Sequence, residues 1–238
     1  MPKPTFHNLA EEKRARLVEL AIEEFSEHPY DRASLSRIVE RAGIAKGSVY
    51  QYFENKADLY AWLVTEEVGR RKLAYVEPRP KAADGDVFSR LEGLIHSGLR
   101  FHLENPRLAR LAAGIYEPSA DPEVRALQGE LRSRGRAYLR EMLAGAQAAG
   151  ELRPGLDLDL AASLVSHVLG PGLSEALLER LGTDVRGFLA QTARARKLEP
   201  AEVHALVRGI IDFLRHGIGG PAPRSGRQLT PKTKEKKP

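Results

Sequence analysis

Ala42-Gly43-Ile44-Ala45-Lys46-Gly47-Ser48-Val49-Tyr50-Gln51-Tyr52-Phe53-Glu54-Asn55-Lys56 is the stretch on which the reading of this chain turns. Upstream of it, Leu35, Ile38, Val39 and Ala42 recur at the three-and-four spacing of one buried stripe. That spacing predicts a helix from about Ser34 that Gly43 closes in the left-handed conformation. A second, very short helix is expected at about Lys46 to Phe53, held down by Ile44, Val49 and Phe53. Two short helices joined by a Gly-Ile-Ala turn make a helix-turn-helix. Its second helix is clamped across the first, with the opposite face free to enter a major groove. The free face here is Lys46, Gly47, Ser48, Gln51 and Tyr52. Lysine and glutamine hydrogen-bond base edges, hydroxyls reach bases or phosphates, and a glycine lets backbone approach closely.

Helical periodicity extends outward in both directions, so the fold class is all-α. A first helix is expected from about Glu12 to Ser26 and a fourth from the N-cap Asn55, fading toward Pro78-Arg79-Pro80. Further helices are expected over 86–104, 106–116 and 122–149, after Asp157 until Gly170-Pro171-Gly172 interrupts, and from Pro200 to near Gly217. The organisation read from this pattern is a helix-turn-helix DNA-binding domain over 1–55, a larger helical body over 56–218 whose ligand-binding and dimerisation roles are implied only by the resemblance given below, and a disordered basic tail over 219–238.

Composition narrows the class. Hydrophobic residues make up 42% and charged residues 29% of 238, the balance of a folded globular chain. No apolar run reaches the length of a membrane span, the start Met1-Pro2-Lys3-Pro4 lacks a signal-peptide core, and there is no cysteine; a cytoplasmic protein with no membrane partner is expected. The net charge of +5 sits wholly in Arg224–Pro238, which carries six bases against Glu235. Bulk charge therefore gives no case for a DNA partner, and local arrangement must. Between Arg32 and Lys46 the bases Arg32, Arg37, Arg41 and Lys46 face Glu40 alone, so a basic face that includes Arg37 is expected.

The quoted run, with Asp58-Leu59 after it and Lys13-Arg14-Ala15-Arg16 and Glu23-Glu24-Phe25 before it, resembles the signature of the TetR family of transcriptional regulators over roughly residues 10 to 65. The resemblance implies a homodimer on a palindromic double-stranded DNA operator, a variable ligand-binding body, and release of DNA by a small-molecule effector. Carried over by position, it makes Lys46, Ser48 and Gln51 base readers and Tyr50, Tyr52 and Lys56 backbone contacts, with Lys56 at a phosphate seat. One departure is Ala45, which stands where many members have a Ser or Thr that caps the recognition helix; losing such a cap costs about 1 kcal/mol.

In the body, Trp62, His96, Phe101, His102, Tyr116 and Tyr138 are the candidate lining of an effector pocket, with core packing as the plain alternative; apolar lining favours a lipophilic effector. The last helix spreads Leu206, Ile210, Phe213 and Leu214 around more than one face. Paired with the stripe that includes Leu164 and Val168, it is expected to form a four-helix dimer interface, an intramolecular core being the alternative. No His pair has the one-turn spacing of a helical zinc site, Asp157 and Asp159 read as a helix start, and Gly170-Pro171-Gly172 lacks the lysine and hydroxyl of a phosphate loop. Neither metal, cofactor nor enzymatic activity is expected. The competing functional reading is an effector-independent architectural or assembly protein that uses the same DNA-binding unit.

Overall fold

The computed structural model describes residues 1–45, 47–75, 85–190 and 198–216, and every regular element among them is helical. Lys46 and the expected tail over 219–238 lie outside the described residues. The chain opens with a single turn, α1 (Pro4–His7), followed by α2 (Glu11–Glu27) and α3 (Leu35–Ala42). A rod then runs through α4 (Lys56–Trp62), a π-helical turn over Leu63–Glu67, and α5 (Val68–Leu73). The body comprises α6 (Val87–Glu104), α7 (Pro106–Ala113), α8 (Pro122–Ala148), α9 (Leu158–His167), α10 (Leu173–Leu181), α11 (Val185–Ala190) and α12 (Pro200–His216).

Local chemistry accounts for the starts and breaks. Asp86, Asp121 and Asp157 each accept backbone N–H bonds at the head of α6, α8 and α9, and proline occupies the first turn of α7 and α8, where its missing N–H costs nothing. Gly170 has non-helical torsions and Pro171 follows it, which is why α9 and α10 are separated by a kinked π turn over Val168–Gly172.

The second helix of the helix-turn-helix is shorter and tighter than its periodicity predicts: residues 48–51 form a 3-10 turn. The chain offers no side-chain cap before it, and Ser48 N–H is satisfied by the Ala45 carbonyl at 2.8 Å. A segment this short, without a cap, closes i to i+3 bonds rather than an α-helix.

Three apolar cores share α6 as their spine. Phe6, Ile22, Ile38, Phe53, Leu59 and Leu63 belong to the first, which continues into Phe101, Leu108, Leu111 and Val124. The core is thus continuous across the boundary expected at residue 55. Val87 and Leu91 join Leu139, Leu143 and Val165 in the second, and Ile95 and Leu99 join Leu177, Leu206 and Val207 in the third. Each such aliphatic side chain contributes about 1.5–3 kcal/mol on burial.

Candidate nucleic-acid interface

The surface that faces outward at the helix-turn-helix is built from behind. Ser34 caps α3 by accepting from Arg37 N–H, and Gly43 ends it at φ 68°, with Ile44 N–H returning to the Val39 carbonyl at 3.1 Å. That left-handed reversal aims the chain into the 3-10 turn. Val49 and Phe53, 2% and 1% exposed, pin the turn to the core. Gly47, Tyr50 and Gln51 are exposed, and Ser48 and Tyr52 are half-buried. A Cβ on Gly47 would meet no protein atom within 4 Å and its φ is −77°, so the fold itself does not require glycine there.

Two expected contacts are placed differently. The Arg37 guanidinium is turned onto Glu24 of α2, with Nε donating to both carboxylate oxygens at 3.0 and 3.1 Å and Nη2 also reaching the Arg32 carbonyl at 2.9 Å. Arg41 pairs with Glu23 at 2.8 Å. The surplus of bases counted along residues 32–46 is therefore offset by acids from another helix. Glu24 is 3% exposed and also accepts Ser34 N–H at 2.8 Å. Burial pushes its carboxyl up, but the Arg37 hydrogen bonds, the Ser34 N–H and the Arg37 charge together bring it below the ordinary value.

Lys56 also points inward. Its ammonium donates to the Tyr30 and Ala33 carbonyls at 2.8 and 3.1 Å and lies 4.2 Å from the Tyr30 ring centroid. Burial draws its pKa down, against the pull of Asp31, Asp121 and Glu24.

Lys56 belongs to a polar seam that ties the helix-turn-helix unit to the head of α8. Asp31 accepts from Ser119 Oγ at 2.6 Å and from Ala120 N–H at 2.8 Å, and Tyr30 Oη donates to Asp121 at 2.8 Å. The Ser119 hydrogen bond is the largest cause of a lowered Asp31 pKa, and the Tyr30 hydroxyl of a lowered Asp121 pKa. Sequence reading missed this seam because its partners are some ninety residues apart.

The six expected pocket residues do not converge. Trp62 sits in an aromatic cluster, 5.1 Å from Phe6 and 5.8 Å from Phe53 by ring centroids. Phe101 is core at 1% exposure, Tyr138 is 49% exposed on α8, and His96 meets the His204 ring. Phe101 and His102 are ring neighbours on α6, and His102 and Tyr116 each border the break between α9 and α10. There His102 Nε2 lies 3.1 Å from Ser174 Oγ, and the Tyr116 hydroxyl occupies the space a Gly170 Cβ would need. Burial lowers the His102 pKa.

Among the expected dimer residues, Leu206 is 7% exposed and packs inside the third core, so it is corrected to an internal contact. Ile210 and Leu214 are half-buried against the same body, and Val168 is half-buried in the kink. Leu164 and Phe213 remain exposed at 59% and 46%, and Leu160, one turn before Leu164, joins them at 57%.

With this geometry in view, known proteins supply the comparison. The pattern of the bacterial regulatory proteins of the tetR family matches residues 17–62. A TetR family transcriptional regulator from Chloroflexus aurantiacus J-10-FL is 35% identical, superposes with a TM-score of 0.70, and is matched over 98% of its chain and 91% of this one. The chain belongs to the TetR family. It is a DNA-binding transcriptional regulator by that membership. A probable acrEF/envCD operon repressor of Escherichia coli K12 is 25% identical over 175 residues, 72% of this chain and 79% of that protein. The transcriptional regulator FadR from Bacillus subtilis, solved in complex with stearoyl-CoA, is 20% identical with a TM-score of 0.63, covering 86% of this chain and 98% of its own, and shares the TetR-family fold. Among the described residues no helix is long and apolar enough to cross a membrane.

Proposed function

We propose that this TetR-family protein is a repressor that grips a palindromic operator as a homodimer and lets go when a small lipophilic effector occupies its body. The observation that carries the DNA half is the surface of Gly47, Tyr50 and Gln51, exposed while Val49 and Phe53 beneath it are sealed. A glycine that the fold does not need suits close approach of a phosphate backbone. The E. coli relative named as an operon repressor supports the sign of regulation.

Leu160, Leu164 and Phe213 supply the dimer contact. A two-fold pair of recognition turns requires half-sites about 34–36 Å apart or a multiple of it. The effector enters where α9 breaks, beside Tyr116 and His102, where Gly170 leaves helical torsions and Pro171 interrupts the helical ladder. The FadR structure, with its stearoyl-CoA, supports an acyl-chain class of effector. Binding energy that differs between two body conformations passes through the seam to the DNA-binding unit.

The test is selection of duplexes from a randomised pool by the purified protein, followed by titration of the bound duplex with acyl-CoAs of graded chain length. Enrichment of an inverted repeat and its release by one chain-length range are expected. Retention of DNA at saturating acyl-CoA would favour the effector-independent reading, and failure to enrich any sequence would remove the operator itself.

A further inference from the structure

The recognition turn is braced from a direction that the family pattern does not include. Residues 48–51 form an uncapped 3-10 turn, and such a turn leaves its last carbonyls without intrahelical partners. Three consecutive ones are taken by the first residues of the chain. Lys3 Nζ donates to the Tyr50 carbonyl at 3.0 Å, Thr5 Oγ1 donates to the Gln51 carbonyl, and Lys3 N–H donates to the Tyr52 carbonyl at 2.8 Å. Phe6, 2% exposed, anchors the segment, its ring 5.0 Å from Phe53 and 5.1 Å from Trp62. The segment precedes residues 17–62, where the family pattern lies.

We infer that Lys3, Thr5 and Phe6 are positioning residues for DNA reading: they fix the pose of Gln51 from its backbone side and so set sequence discrimination without reading bases themselves. The inference rests on the DNA-binding reading above. Its physical basis is that a side chain reads a base edge only within a few tenths of an ångström and some ten to twenty degrees of the productive pose, and a free 3-10 turn does not hold that tolerance.

The experiment compares the full-length wild type with Thr5→Val, Thr5→Ser and Lys3→Met/Thr5→Val. Each is measured on a duplex selected by the wild type from a randomised pool and on a scrambled duplex of equal length, with thermal unfolding in parallel. Thr5→Val is expected to lower affinity for the selected duplex about tenfold, leaving the scrambled duplex and the melting transition nearly unchanged. Thr5→Ser restores discrimination, and the double variant loses more of it. An unchanged ratio of selected to scrambled affinity in both valine variants overturns the inference. So does an equal loss on both duplexes with a shallower salt dependence, which would make the segment a phosphate contact. A wild type that discriminates no duplex overturns the DNA-binding reading and this inference with it.

Discussion

Tyr30 donates its hydroxyl to Asp121 at 2.8 Å, joining the loop between α2 and α3 to the residue that caps α8. Lys56 reinforces the same joint by holding the Tyr30 and Ala33 carbonyls. The helix-turn-helix unit is thus tied to the head of α8 by side-chain hydrogen bonds at this seam.

Tyr30→Phe should lower stability by about 1 kcal/mol, the net worth of one hydrogen bond. Lys56→Met should cost about 1–3 kcal/mol because two carbonyls lose their donor. In DNA titrations across salt, the slope for Lys56→Met should match the wild type. A slope shallower by about one would return Lys56 to the phosphate role that the family resemblance implies.

Arg37 belongs to the scaffold. Arg37→Ala leaves Glu24 buried without its partner and should destabilise by about 2–3 kcal/mol, toward the low side for a broken buried pair because Arg37 itself is half exposed. Glu24 titrates below its ordinary value when folded, so its contribution is complete above the ordinary carboxylate range and is lost as pH falls through the depressed native value. Urea denaturation from pH 6 to pH 3 should show a steeper loss for the wild type than for Glu24→Gln. Parallel curves would dismiss the pair as a source of pH dependence.

At the break in the body, Gly170→Ala would drive a Cβ to 2.7 Å from the Tyr116 hydroxyl and 2.9 Å from Cζ. The single variant should unfold at lower temperature, and adding Tyr116→Ala should recover part of that loss by clearing the ring. Additive losses in the double variant would show that the two residues do not meet.

The exposed Leu164 and Phe213 side chains give a direct test of the proposed dimer. Leu164→Glu and Phe213→Glu each put a carboxylate in the proposed contact and should shift sedimentation from dimer to monomer, with operator affinity falling in step. A dimer that survives both changes would move the interface elsewhere.

Legibility in the sequence followed the range of the interactions. The stripe Leu35–Ile38–Val39–Ala42, the stop at Gly43 and the caps at Asn55 and Asp157 are local signals, and the helices start and end on them. The exposure of Gln51 and the burial of Val49 follow from the same periodicity. What the chain order concealed was long-range. Glu23 and Glu24 neutralise Arg41 and Arg37 from a different helix, so counting charges along one segment overstated the basic face. Phe6, a lone aromatic between prolines and polar residues, carries no period at all, yet closes the first core. Leu160 was within reach, standing four residues before Leu164 on the same face.

The central claim is that the surface bearing Gln51 reads a duplex. Wild type and Gln51→Ala, carried in parallel through selection from one randomised pool, test it most directly. The wild type should enrich an inverted repeat, and Gln51→Ala should relax one symmetry-related pair of positions at a cost of about 1–3 kcal/mol on the wild-type sequence. Identical enriched sequences and affinities for the two proteins would contradict the account.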